Sequence, residues 1–175
     1  MLHQLNAQYG RILLLPIEHK DIEFLRLLRN RERKWFVYSE EISEKAQEEW
    51  FARYRTVIND YMFSIYRKDN AGSTVGFAAL YHVDEIKKTG EFGRIIIDKE
   101  KASERGLGYD STVCACLIGF EQLHLDKIML EVFSNNISAI KTYEKAGFVS
   151  CKENNSIIYM ELTKNNLNLP EEESD

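Results

Sequence analysis

Two prolines are all that punctuate the 175 residues, so no proline-rich linker divides the chain, and no repeat or low-complexity run suggests a second unit. Cysteine is scarce too. Its three copies are an odd number, in a chain too large to depend on disulfide staples. Cys114 and Cys116 stand two apart in a predicted helix and face different directions, so they neither bridge nor share a metal. All three are read as reduced thiols, and no metal is expected. Basic charge is in deficit, with 23 Lys and Arg against 28 Asp and Glu and a formal net charge of -5. That balance excludes a broad nucleic-acid-binding face but leaves room for a local basic pocket. Long apolar runs are missing as well. No window approaches the ~20 residues of a membrane span, and the polar residues 1–10 lack the apolar core of a signal segment. Neither nucleic acid nor membrane is expected as a partner, and the expected location is cytoplasmic.

What is present fits a soluble globular protein. Hydrophobic residues make up 44% and charged residues 29%, an ordinary balance for a chain long enough to bury one sizeable core. The expected organisation is a single domain over residues 1–164, with a flexible acidic tail over 165–175.

Periodicity and turn residues predict the element order. Residues 11–15 are apolar and strand-like, ended by Pro16. Asp21 can cap a helix to residue 30, with Ile22, Leu25 and Leu28 on one face. Ser43 opens a second helix to residue 55. Residues 61–66 and 74–83 read as a hairpin about the turn Asp69-Asn70-Ala71-Gly72, and residues 91–98 as the next strand. Residues 109–123 form a helix apolar over most of its circumference, hence buried on more than one side. A strand over 127–133, a helix over 138–146 stopped by Gly147, and strands over 148–152 and 156–162 complete the chain. An antiparallel meander followed by one β-α-β crossover gives a mixed α/β (α+β) sheet of about seven strands flanked by helices.

The strand containing Ile95, Ile96 and Ile97 feeds a loop, Ser103-Glu104-Arg105-Gly106-Leu107-Gly108, and a long helix begins at once. Unpaired backbone N–H groups and the positive end of a helix dipole meet there, which makes an anion site. Glycine lets the backbone approach a ligand closely, and Arg105 adds charge. A tight strand-to-helix turn would carry the same residues. The Walker loop is excluded, since it ends in Gly-Lys-Ser/Thr, and so is the dinucleotide fingerprint, whose third glycine is here Ser111.

Downstream stands Asn136-Ile137-Ser138-Ala139-Ile140-Lys141-Thr142-Tyr143-Glu144-Lys145-Ala146-Gly147-Phe148. With the loop, this resembles the GNAT superfamily of N-acetyltransferases, which carries Arg/Gln-x-x-Gly-x-Gly/Ala after its fourth strand and Asn-x-x-Ala-x-x-x-Tyr-Glu-Lys-x-Gly-Phe after its fifth. The likeness covers residues 74–162. Ser103 departs from it, standing where the family has Arg or Gln. The resemblance implies the GNAT fold with a splayed central parallel pair of strands, and acetyl-CoA as acyl donor with no metal. It implies pantetheine beside Ile95, Ile96 and Ile97, held also by Asn136. The pyrophosphate would lie on the loop from Ser103 through Arg105, Gly106, Leu107 and Gly108 to Tyr109. Members often dimerise, so a homodimer is implied as a possibility of the fold, although no exposed patch in the sequence demands one.

Acyl transfer from a thioester to an amine needs a neutral amine, a stabilised oxyanion and a proton for the leaving thiolate. Tyr143 occupies the family's position for that acid, although on its helix face it could equally pack. Glu91 and His82, at facing strand ends, are the candidate bases, and either could be a solvated strand-end residue. His124 is better explained as a helix-end contact. The backbone amide near Ile97 is implied to polarise the thioester carbonyl.

The acceptor pocket is expected from the N-terminal half. Arg29 and Asn30 precede Trp35-Phe36-Val37-Tyr38. Rings of this kind stack on sugars and bases, and Arg pairs with phosphates, although the rings could simply fill space between helices. Tyr81 and Glu91 complete the proposed acceptor contacts. Leu28-Arg29-Asn30 with Glu91-Phe92-Gly93 is similar to GNATs that acetylate nucleotide-linked amino sugars, as in pseudaminic acid biosynthesis. A protein N-terminus, as in ribosomal-protein acetyltransferases, and a polyamine are the alternative acceptors. A catalytically silent acyl-CoA-binding module is the alternative of another class.

Overall fold

A computed structural model describes residues 2–36, 38–102 and 105–169. Eight strands form one sheet: β1 (Ala7–Tyr9), β2 (Ile12–Pro16), β3 (Tyr61–Arg67), β4 (Asn70–Asp84), β5 (Thr89–Ile97), β6 (Lys127–Phe133), β7 (Val149–Asn154) and β8 (Ile157–Thr163). Their spatial order is β1-β2-β3-β4-β5-β6-β8-β7. All neighbours are antiparallel except the central pair, β5 and β6. The helices are α1 (Ile22–Arg31), α2 (Glu44–Tyr54), α3 (Lys99–Ala102), α4 (Leu107–Leu117) and α5 (Ile137–Ala146). The strand beyond the expected seven is β1, inside residues read as a polar N-terminus. Three residues are too few for an alternating pattern to register, and they become a strand by pairing with β2.

Helix signals worked where a side chain meets its own backbone. Ser43 accepts the Ala46 N–H at 3.2 Å and starts α2, as an N-cap serine should. Asp21, expected to cap α1, takes no bond from that helix. It is buried and accepts instead from the Glu18 N–H at 3.0 Å and the Ser64 hydroxyl at 2.8 Å. A buried carboxylate needs several donors, and β3 supplies the nearest.

Each face of the sheet carries a core. On one face α4 and α5 cover Leu14, Ile65, Leu80, Phe92, Ile128 and Leu130. Residues Tyr109 to Cys116 are buried without interruption, so α4 is enclosed on more than one side, as its apolar composition required. On the other face α1 and α2 bring Ile22, Leu25, Leu28, Phe51 and Tyr54 onto Met62, Phe77, Ala79 and Ile96. Along β4 the faces alternate: Phe77 and Ala79 face α1 and α2, while Ala78 and Leu80 face α4. Along β5 they do not, because Phe92 and Ile96 lie in different cores although four positions separate them. The pairing explains this. Ile96 opposes Phe77 and Gly93 opposes Ala79, so Arg94 and Ile95 together oppose Ala78. Arg94, at φ +51°, marks a β-bulge.

The C-terminal segment to Leu169 packs back on the domain. The Asn168 N–H bonds the Ala146 carbonyl at 3.0 Å, and the Tyr109 hydroxyl donates to the Asn168 carbonyl at 2.9 Å. Among the described residues no helix is long and apolar enough to cross a membrane. Cys114 and Cys116 are buried thiols and Cys151 is exposed.

Candidate active site

The bulge bends β5 away from β6. The two pair only from Thr89 to Glu91 against Lys127 to Met129, although both strands continue. Beyond Glu91 the strands part and leave a gap floored by backbone. The Asp98 N–H bonds the Val75 carbonyl at 2.8 Å, which makes these two a hydrogen-bonded pair. The next pair, Ile97 with Gly76, is then the non-bonded kind. Ile97 therefore turns its own N–H and C=O from β4 toward the gap. An extended amide-bearing ligand can complete that edge, as an added strand would.

After β5 and α3, the loop read from the sequence as an anion site leads into α4. Gly106 is the N-cap at φ +98°, a conformation that suits glycine. A Cβ there would also meet Arg11 Nη2 at 2.6 Å. Arg11 runs beneath the loop, donating from Nε to Asp110 Oδ2 at 2.9 Å and from Nη1 to the Arg105 carbonyl at 3.0 Å. The first helical acceptor is Gly106, bonded by Asp110, so the N–H groups of Leu107, Gly108 and Tyr109 precede the helical ladder. A Cβ built on Gly108 would meet nothing within 4 Å, which leaves open space over those amides. Leu107 and Tyr109 turn their side chains inward, so only their backbone is available to a ligand. Ser103 lies outside the described residues.

A cavity of about 490 Å³ opens where the strands part. Ile95, Asn136 and Tyr143 line its inner part. Asn136 caps α5, accepting from the Ala139 N–H at 3.4 Å, which leaves its Nδ2 donor for a ligand. Tyr143 is buried between Phe92 and Phe148, with ring centroids 6.1 and 6.0 Å away. Burial, then the neighbouring Tyr81, pushes its phenol well above the ordinary value. A phenol of that kind keeps its proton at neutral pH and can donate it.

His82 and Tyr81 line the next part of the wall. His82 Nδ1 lies 3.1 Å from Glu91 Oε1, so the two candidate bases form one unit, with His82 largely exposed to solvent and Glu91 not lining the cavity. His82 adopts φ +49°, strained for a non-glycine residue and of the kind found at functional sites. Burial, then Glu91, raises the Tyr81 phenol to about 12. Its hydroxyl stands 2.8 Å from where a Cβ on Gly93 would lie, so only glycine leaves room for this ring.

At the outer end are Arg29, Trp35, Phe36 and Tyr38. The Arg29 guanidinium lies 4.0 Å over the Phe36 ring and has no carboxylate partner among the described residues. Burial, then the charge of Arg94, lowers its pKa. Tyr38 is 85% exposed and stands at the mouth. Asn30 does not line the cavity. Its amide clamps Ile42 through two bonds of 2.9 and 2.8 Å and so holds the loop before α2.

Two charged lining residues had no part in the sequence reading. Glu131 projects from β6 between the buried Leu130 and Val132. Its charge, set in an apolar alternating strand, was the available signal. Arg94 lines the cavity from the bulge, and no local pattern marks a bulge whose residue is not glycine.

Comparison with known proteins bears on this geometry. A family model described as an acetyltransferase (GNAT) domain matches residues 11–149. The solved structure of apo FdhC, described as a nucleotide-linked sugar GNAT, is similar at 26% identity with a TM-score of 0.82, covering 94% of this chain and 93% of that one. A spermidine N-acetyltransferase from Vibrio cholerae, in complex with CoA and spermine, shares the fold at 24% identity with a TM-score of 0.78, covering 89% and 97%. No curated protein matches the chain.

Proposed function

The chain belongs to the GNAT acetyltransferase family and is an acyl-CoA-dependent N-acetyltransferase, and on that premise we propose that its acceptor is the primary amine of a nucleotide-linked amino sugar. The observation that carries the reading is the polarity of the cavity. Carboxylates gather beside Tyr81, Glu131 on the wall and Glu91 behind Tyr81 and His82. At its outer end Arg29, with no carboxylate partner among the described residues, sits among Phe36, Trp35 and Tyr38. A nucleotide-linked amino sugar has the same polarity, with a cationic amine at one end and a diphosphate and flat base at the other. Aromatic rings suit the base and a guanidinium suits the phosphate. A polyamine is cationic along its length and would set one ammonium against Arg29.

Acetyl-CoA supplies the acyl group as a thioester, and the backbone fits it: the free edge of Ile97 suits pantetheine, and the amides of Leu107 to Tyr109 suit a pyrophosphate. Attack in a ternary complex then asks three things of the side chains. The Glu91–His82 unit accepts the ammonium proton, and exposed His82 passes it to solvent. Tyr143 gives its proton to the departing thiolate as the amine takes the acyl group. The Ile97 N–H, or a neighbour on the same edge, steadies the oxyanion.

The test is free-thiol release from acetyl-CoA with UDP-linked amino sugars, peptides and polyamines offered in parallel. Turnover with the sugar pool, inhibited competitively by UDP, is the expected outcome. Turnover confined to spermidine or to peptide N-termini would overturn the acceptor assignment.

A further inference from the structure

The bulge in β5 does more than part the strands, because its extra residue is an arginine that lines the cavity. Arg94 donates from Nη1 to both oxygens of Asp60, at 2.8 Å each. Its guanidinium lies 4.2 Å from the centroid of the Tyr81 ring. Those contacts hold it on both flanks. Nε and Nη2 have no acceptor among the described residues, although the side chain is only 30% exposed. Arg29 stands close enough to repel it. Two guanidinium groups thus line one cavity, and the carboxylate that pairs with Arg94, Asp60, lies outside it. A half-buried pair of like charges is unfavourable until an anion bridges it. The donors left over can hold a phosphate oxygen in charge-assisted bonds.

We propose that Arg94, held in place by Asp60, is a second phosphate-binding residue of the acceptor subsite, closing with Arg29 on the diphosphate of the nucleotide-linked acceptor. Asp60 is a positioning residue, since it reaches the ligand only through Arg94. The inference rests on the acceptor class proposed above and adds what that reading lacked: a residue that selects for the diphosphate and gives the bulge a second use. It also fixes the direction of the acceptor. Arg94 is two residues from Ile96 and stacks on Tyr81, so the diphosphate lies against β5 while the base extends toward Trp35 and Tyr38.

The test is calorimetric titration of the full chain with UDP, with uridine as the control lacking phosphate, and a parallel titration with CoA to report the fold. Wild type is expected to bind UDP and to bind uridine far more weakly. Arg94→Gln should weaken UDP about 10- to 100-fold, the loss of a charge-assisted pair, with CoA affinity unchanged. Arg94→Lys should retain part of the affinity, since a point charge replaces a fork. Asp60→Asn should weaken UDP several-fold, and Arg94→Gln with Asp60→Asn should be no worse than Arg94→Gln alone, because one acts through the other. UDP affinity unchanged in Arg94→Gln and Arg94→Lys but lost in Arg29→Gln would remove Arg94 and leave the acceptor class standing. Wild type that ignores UDP and binds spermidine would remove the acceptor class itself, and with it this inference.

Discussion

Tyr143 is the acid of the proposed transfer, and its surroundings suit that role. Buried between two phenylalanines with its pKa raised, it holds its proton below the ordinary phenol value of 10.0. An acid must be protonated to act, so this group causes no alkaline loss of kcat below pH 10. Tyr143→Phe should lower kcat by about 10²-fold with CoA affinity little changed, and any alkaline limb below pH 10 should persist in the variant. Unchanged turnover would make Tyr143 a packing residue. Gly93 offers a quieter test. A methyl there meets the Tyr81 hydroxyl at 2.8 Å, so Gly93→Ala should lower kcat/KM for the acceptor by about tenfold or more through displacement of that ring. CoA titration should be unaffected. Tyr143 and Asn136 were legible because each sits in a long run of residues with a recognisable spacing. Glu131 and Arg94 were not, because what brings them to the cavity is the parting of two strands distant in sequence.

Among the elements, helices and hairpins were the most legible. Ser43 at the start of α2, Gly147 after α5 and the apolar girth of α4 act through local backbone chemistry or burial that the sequence displays. Asp21 stands at the N-cap of α1 as expected, but its side chain bonds elsewhere, because a carboxylate's best donors can come from a strand far along the chain, here Ser64. The phosphate loop shows the same limit. Its glycines were visible, but the Arg11 clasp from the turn before β2 that carries it was not. That clasp can be tested. Asp110→Ala removes the acceptor of the Arg11 Nε and backbone N–H, and should cost about 1–3 kcal/mol in urea denaturation. CoA should bind several-fold more weakly, because the amides of α4 lose their support. Stability lost with CoA affinity intact would show that the clasp serves the fold alone.

At the scale of the molecule, α4 and α5 are joined by residues near the C-terminus. Asn168 bonds the carbonyls of Lys145 and Ala146 at the end of α5 and accepts from Tyr109 in the first turn of α4. One helix carries the candidate phosphate amides and the other Tyr143, so Asn168 adds to the direct packing that sets their spacing. Deleting residues 164–175 should lower the melting temperature by roughly 5–10 °C and weaken CoA. Deleting 170–175 should leave both unchanged, and equal effects from the two deletions would refute the role of Asn168. The bulge at Arg94 has a wider consequence. With residue 94 removed, Gly93, Ile95 and Ile96 would oppose Ala79, Ala78 and Phe77 in unbroken alternation, and every side chain would still face its present core. The fold, then, has no need of the extra residue, and the regular strand could pair with β6 beyond Glu91. A chain lacking residue 94, with Asp60→Asn so that no carboxylate is left unpartnered, is expected to melt no lower than wild type and to lose CoA binding. That outcome would mean that stability alone has no use for the residue, and that the bulge is what activity demands of the sheet.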